Sequence, residues 1–524
     1  MFRAEIENAV KNALAAIGAQ DANFIVERPT NMAHGDYATN AALVAKVDAH
    51  ELVAKLHVEG IEKIEVVGKF INFWLSRTAL IKEIQPATQD GWSANDLHKN
   101  KKILVEYTDP NPFKEFHIGH LMSNAIGESI ARLFENSGAQ VVRANYQGDI
   151  GPHVAKAIWG KIQKPEALWG EAYVYGDQNY EGSRGEIDAI NKKLYEKSDP
   201  EVNKLYDAGR KESLAHFEEI YKKLDTKFDF YFFESETAPK GLEIIKKHPK
   251  LFEKSEGATV FHGKHTRVFI TSQGLPTYEA KELGLAELKQ EKAPADVYIT
   301  VTASEQSGFF EVVFEAIEKI FPALRGKLIH RAHGHMRFTE GKMSSRKGNV
   351  ITGESLFLDL QKAARGREDV AVGAIKYAVL KQGSGKDIIF DPEKSLSLEG
   401  DSGPYLQYAL VRARSLIRAA KEAQIGGAAS DVPEHAGALE RMLVHFPEVL
   451  TRAARELEPH YVTTYLTELA SAFNSWYASE RIIGGAHPAS GGSNPCKRSS
   501  RPRHSRAGGD VVDFLNVDYI ILRG

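Results

Sequence analysis

Two histidines three residues apart, His117 and His120 with Gly119 between them, stand in "PFKEFHIGHLMSNAIGESI" at what the spacing predicts as the first turn of a helix. A helix start leaves backbone N–H groups unpaired and carries partial positive charge, so a strand, a loop and a helix N-terminus form a seat for phosphate. The two imidazoles add donors to phosphate oxygens on which charge builds, and Gly119 removes a side chain so that a flat base can lie against the backbone. The stretch suits a nucleotide; the plainer alternative, one histidine capping and the other packing, stays open for an isolated H-x-G-H. A second cluster lies more than 200 residues further on, where "GKMSSRKGN" sets Lys342, Arg346 and Lys347 on a Gly- and Ser-rich loop. Cations on such a loop can close over phosphates and stabilise a transferring phosphoryl group, although alone the loop also fits a solvated basic surface.

The surrounding elements decide whether the two clusters can meet. Ile103, Leu104 and Val105 form a short apolar run between a polar linker and a loop, as a buried parallel strand does. A helix is predicted from about His117 to Asn136 with a stop at "NSGAQ", then "VVRANYQGD" as the next strand, which gives a βαβ start and a doubly wound sheet. From about 160 to 260 the texture changes to dense Lys and Glu with helical spacing, the mark of an insertion. "ADVYITVTAS" and "GFFEVVFEAIEKIF" resume the strand and helix pattern, and from about 395 onward the spacing is helical throughout. Residues 1 to about 95 form a small α+β unit. The boundaries are therefore 1–95, 96–394, 395–485 and 486–524.

Composition bounds the rest. Hydrophobic residues at 43% and charged residues at 26% are globular values, and no apolar run approaches the roughly 18 residues that a membrane helix needs. No export signal is visible at "MFRAEIENAVKNALAAIG", so the expectation is cytoplasmic with no membrane partner. The single cysteine, Cys496, excludes an internal disulfide and a Cys-rich zinc site, and no metal site is expected among the protein's own side chains. "HRAHGH", with His330, His333 and His335, reads as phosphate-facing or structural rather than metal-binding. "GSGKD" at Gly383 lacks the residues a P-loop requires. A net charge of −3 gives no general pull on nucleic acid, so RNA contacts must come from local basic faces.

H-x-G-H at the first βα turn and K-M-S-S-R after the last sheet strand together resemble the paired signatures of class I aminoacyl-tRNA synthetases. "VEYTDPNPFKEFHIGHL", "FDFYFFES", "GLPTYEAKELGL", "FDPEKSLSLEGDSGPYLQYALVRARSL", "HGDYATNAAL" and "GKFINFWLS" resemble arginyl-tRNA synthetases in family order, from near residue 1 to about 483. The resemblance implies a multidomain α/β protein: an N-terminal α+β domain touching the tRNA elbow, a Rossmann-type catalytic domain with an insertion, and a C-terminal all-α anticodon-binding bundle. It implies ATP as substrate with Mg2+, L-arginine and tRNA(Arg) as partners, and a monomer. ATP would be held by His117, Gly119, His120, Lys342, Met343, Ser344, Ser345 and Arg346, with His117, His120 and Lys342 catalytic. Glu106 and Asn111, from the family's E-x-x-x-x-N, together with Tyr278, Glu282 and Gln306, would hold arginine, whose planar guanidinium needs in-plane acceptors. Glu282 stands where the family usually has aspartate, and phenylalanine replaces a histidine that commonly follows Gln306. "NYQGDIGPH", Asn145 to His153, aligns with the family's G-D-x-G and either lines the substrate cavity or marks a tight turn.

The tail departs from the family. After about Gly485 the usual closing helix gives way to "AHPASGGSNPCKRSSRPRHSRAGG" and "VVDFLNVDYIILRG", which read as disordered, as a shifted reading frame or as a divergent extension. Lys497, Arg498, Arg501, Arg503 and Arg506 form a basic stretch there, and loss of the closing helix predicts weakened tRNA charging. Two further readings remain: another class I synthetase or H-x-G-H nucleotidyltransferase, and a tRNA-binding paralogue without catalysis.

Overall fold

A computed structural model of the chain describes residues 2–29, 31–88, 91–339, 352–423 and 437–479. The expected phosphate loop, with Lys342, Met343, Ser344, Ser345, Arg346 and Lys347, and the tail from 486 lie outside the described residues.

The chain forms two compact units, one drawing on residues 94–407 and 450–464. Its centre is a five-stranded parallel sheet: β1 (Lys102–Glu106), β2 (Gln140–Gln147), β3 (Phe230–Phe233), β4 (Val297–Ala303) and β5 (Leu328–His333), in the order β5-β4-β1-β2-β3. Ile103, Leu104 and Val105 are buried on both faces, which is why β1 reads as an unbroken apolar run. After β1 the chain crosses to β2 through α1 (Ile118–Asn136), while β4 lies on the other side of β1. The carboxyl ends of β1 and β4 are thus the switch point of the sheet, where ligands of open α/β folds bind. The stop at "NSGAQ" works as expected: Gly138, at φ 82, takes the left-handed turn that ends α1.

One expectation needs correction. After α2 (Pro152–Gln163), the segment 160–260 holds the helices Trp169–Gln178, Tyr180–Glu196 and α3 (Pro200–Lys223), and begins a small antiparallel sheet that runs from Glu253 to Ile270. It also holds β3, the edge strand of the central sheet, in register with β2 through Tyr146 and Phe232. The aromatic run "FDFYFF" is short and flanked by charged helices, so a reading by composition averages it away. After β3 the chain enters α4 (Glu234–Lys247) and later α5 (Tyr278–Lys292), which precedes β4.

The second unit draws on residues 1–93 and 408–449, with a further segment from 465. A four-stranded antiparallel sheet, Val26–Glu27, Tyr37–Thr39, Phe70–Leu75 and Ile61–Val67 in that spatial order, is joined by the helix Phe2–Ala16. Asp36 is its buried hinge point. The carboxylate accepts the Leu75 N–H at 2.7 Å and pairs with the Arg441 guanidinium, itself only 13% exposed. Arg77 and Glu440 form a second, nearly buried pair at 2.8 Å, and Tyr37 donates to Glu448 at 2.9 Å. Asp36→Ala would leave Arg441 and the Leu75 N–H without their acceptor, so a loss of about 3 kcal/mol in unfolding free energy is expected. Denaturant titration checks it; an unchanged midpoint would show that the pair carries no net stability.

Candidate active site

The loop between β1 and α1 is bent hard. Thr108, Asp109 and Phe113 have φ of 80, 44 and 71, a left-handed backbone that non-glycine residues adopt at a cost. The bend turns the chain from the end of β1 to the start of α1, where His117 is the residue before the first helical turn. The His117 N–H donates to Nδ1 of His120 at 3.2 Å, and the two rings stack with centroids 3.5 Å apart. His120 therefore carries its proton on Nε2, which makes that nitrogen a donor. Burial, then Lys114 and His333, lowers the His117 pKa to about 4; burial, then His117, holds His120 well below the usual histidine value. Both rings are neutral donors at physiological pH. A Cβ at Gly119 would lie 3.0 Å from the His117 ring, so the glycine also admits that ring.

Thr352, the first described residue after 340–351, forms an antiparallel bridge with His117, and the Gly353 N–H donates to Phe116 O at 2.7 Å. The described chain thus resumes directly at the histidine turn. Thr352 then caps the helix Gly353–Ala363 by accepting the Ser355 N–H. The three histidines of "HRAHGH" have separate partners: His330 meets Thr302 at 2.8 Å, His333 meets Gly334 O at 2.7 Å, and His335 pairs with Glu305. Among the described residues no group of three metal-binding side chains converges.

Beside the histidine turn lies a cluster of carboxyls. Glu106, buried at the end of β1 and in register with Thr300 of β4, accepts from the Thr300 hydroxyl at 3.3 Å. Asp109 accepts the Tyr146 N–H at 2.7 Å. Glu282 reaches the cluster from the first turns of α5; burial and then Glu106 push its pKa up to about 8, and the same two causes push Asp109 well above the carboxylate range. Lys289, also on α5, sits 2.8 Å from Glu106. Tyr278 begins α5 and is exposed, one helical turn before Glu282. Asn111 reaches Gly148, where a Cβ would meet its Oδ1 at 2.2 Å. Gln306 is exposed at the start of α6 (Ser307–Ile320), just past the end of β4, and among the described residues no hydrogen bond joins it to the carboxyl cluster.

The G-D-x-G stretch divides its work. Gly148 supports Asn111, whereas Asp149 is fully buried and faces away from solvent. Asp149 accepts from Tyr206 at 3.0 Å, Arg210 at 2.8 Å and both the N–H and hydroxyl of Ser235 at 2.8 Å, so it ties β2 to α3 and α4. The buried pair of Lys281 and Glu234, at 2.5 Å, links α5 to α4, and Lys281 also donates to Ile150 O at 3.2 Å. Asp109, Lys281 and Lys289 were not among the residues expected from sequence, and Asp149 was flagged only as part of its motif. Of the first three, Lys289 had a visible signal, since seven residues after Glu282 is two helical turns on one face.

This arrangement of a parallel sheet, a histidine pair at a helix start on the switch point and a neighbouring acidic slot has close counterparts. Residues 84–392 match the family described as tRNA synthetases class I (R), catalytic domain, more than half of the chain, and the chain belongs to this class I tRNA synthetase family. Its other parts specify the arginyl branch: residues 4–75 match the arginyl tRNA synthetase N terminal domain and residues 406–490 the DALR anticodon binding domain. Among curated relatives, an arginine–tRNA ligase of Clostridium acetobutylicum is 29% identical over 502 residues, spanning 87% of this chain and 89% of the relative. One from Clostridioides difficile is 29% identical over 535 residues, spanning 92% and 93%. Of solved structures, the Thermus thermophilus arginyl-tRNA synthetase superposes with a TM-score of 0.75 at 25% identity, covering 100% of this chain and 97% of that one. The Plasmodium falciparum arginyl-tRNA synthetase shares the fold, with a TM-score of 0.72 at 20% identity and 91% coverage of each chain.

Proposed function

We propose that the protein is an arginine–tRNA ligase whose activation site is the histidine turn and whose amino acid slot is the carboxyl cluster beside it. The observation that carries the reading is the adjacency of two neutral imidazole donors, at a helix start, to buried carboxyls at the same sheet switch point. The arginine carboxylate attacks the α-phosphorus of ATP, the bond to the pyrophosphate oxygen breaks, and arginyl-adenylate remains. Nε2–H of His120 and the His117 ring donate to phosphate oxygens as charge develops, a contribution made by fixed donors and needing no proton transfer. Lys342, Met343, Ser344, Ser345 and Arg346 would approach from the loop that ends at Thr352, with Gly119 keeping the His117 ring seated. Mg2+ enters on the triphosphate as part of the substrate, since this ion favours phosphate oxygens and retained waters. In the second step the 2′-hydroxyl of the terminal tRNA adenosine attacks the arginyl carbonyl and AMP leaves.

Glu282 and Tyr278 supply acceptors for the guanidinium, Glu106 lines the same slot, and Asn111 and Gln306 complete it. We assign residues 1–95 to the tRNA elbow and the helices from 395 to the anticodon, with the protein acting as a cytoplasmic monomer; among the described residues no helix is long and apolar enough to cross a membrane. Transfer of labelled arginine to bulk tRNA tests the whole sequence. Label appearing on tRNA only with ATP supports the reading; adenylate formation without transfer would leave the tRNA half wrong.

Gly148→Ala is expected to push Asn111 aside and raise KM for arginine by about tenfold with a smaller change in kcat, because misplacing a positioning group by about 1 Å weakens productive binding. Steady-state exchange kinetics check it; an unchanged KM would remove Asn111 from the slot.

A further inference from the structure

The acidic slot contains a cation of its own. Lys289 and Glu106 have side chains only 9% and 2% exposed and stand 2.8 Å apart. Lys289 and Glu282 also line a cavity of about 20 Å3, room for about one water, together with Thr300 and mostly apolar groups such as Ala286, Phe314 and Ile317. The mostly apolar lining offers the ammonium few other polar partners than Glu106. Glu282 occupies the same face of α5 two turns earlier, and among the described residues it has neither an ion pair nor a hydrogen bond.

We infer that Lys289 is the internal counter-ion of Glu106 and a specificity-setting residue of the slot, leaving Glu282 as the carboxylate that takes the charge of the arriving guanidinium. The inference rests on the arginine reading above and deepens it. The groups facing Glu282 are Glu106 from β1, Asp109 from the following loop, Tyr146 from β2, Glu234 from α4, and Glu279 and Lys289 from α5 itself. Glu234 is answered by Lys281, Glu279 by Arg267 at 3.1 Å, and Asp109 accepts from the Tyr146 backbone. What remains is Glu282, held protonated by burial and by Glu106 up to about pH 8. A guanidinium entering at pH 7 therefore pairs with a carboxyl that gives up its proton to solvent. The slot then holds two ion pairs, Lys289 with Glu106 and substrate with Glu282.

Two measurements test this. Calorimetric titration of the intact protein with arginine at pH 7, in buffers of different ionisation enthalpy, should show release of close to one proton per arginine; binding without release overturns the inference while leaving the arginine reading standing. In ATP–pyrophosphate exchange, Glu282→Gln should raise KM for arginine about 100-fold. Adding Lys289→Met should recover at least tenfold of that loss, because Glu106 is released to accept the guanidinium. A double variant as weak as Glu282→Gln alone, or weaker, makes Lys289 a support of pocket shape and overturns the inference. No exchange by the intact protein with arginine in the presence of bulk tRNA overturns the arginine reading and the inference with it.

Discussion

His120→Asn should lower ATP–pyrophosphate exchange by 10²- to 10³-fold, the range measured when one fixed donor to a developing oxyanion is removed. The choice of asparagine separates two duties of this side chain. Nδ1 of His120 accepts the His117 N–H at 3.2 Å and so closes the start of α1, which leaves Nε2–H as the ring's donor. Asparagine places an oxygen where Nδ1 was, keeping an acceptor for the helix start, but has no group in the Nε2 position. The melting temperature should therefore stay close to that of the parent while kcat falls. A large drop in stability with exchange preserved would assign His120 to packing, the plainer alternative for an H-x-G-H. Because the His117 pKa is lowered to about 4 and that of His120 lies well below its usual value, neither ring changes charge between pH 5 and 8. Free-enzyme pH dependence in that window must come from another group.

Glu282, with Asp109 raised by the same causes beside it, is the candidate for that group, and its removal is the second large effect. Its pKa of about 8, raised first by burial and then by Glu106, means that the folded, unliganded protein keeps the carboxyl protonated at neutral pH. Guanidinium binding favours the ionised form, so below about pH 8 arginine must displace a proton, and KM for arginine should fall as pH rises, by up to about tenfold per unit, and level off above 8. Glu282→Gln keeps the volume and an acceptor oxygen but no charge. The variant should show a KM about 100-fold higher and a flat pH profile. A KM profile that stays sloped in the variant would place the titrating group elsewhere, with Asp109 the next candidate.

Much of the framework could be read before any coordinates. The apolar run Ile103 to Val105, the helical spacing after His117 and the glycine stop at Gly138 are local signals, and each follows from burial on two faces, amphipathic spacing or a left-handed turn. The strand Phe230–Phe233 was hidden because its sheet partner, β2, lies more than 80 residues away and its flanks are charged. At the site, His117 and His120 could be named from pattern and Glu106 and Glu282 from the family resemblance, but not their state: burial lowers the pKa of the imidazoles and raises that of Glu282, and spacing does not encode burial. Asp109 owes its place to left-handed backbone at a non-glycine residue, for which sequence carries no cue. Asp149 could be seen as part of a motif, yet only its four donors, from Tyr206, Arg210 and Ser235, reveal a tie between elements where a substrate contact was one of two expectations.

The most direct test of the account is ATP–pyrophosphate exchange by the intact protein with each of the twenty amino acids in turn, with and without bulk tRNA. Exchange driven by arginine alone, whether or not tRNA is required, is the predicted result. Exchange driven by a different amino acid, or none with any of them in the presence of tRNA, would contradict the pairing of a triphosphate seat at His117 and His120 with an arginine slot at Glu106 and Glu282.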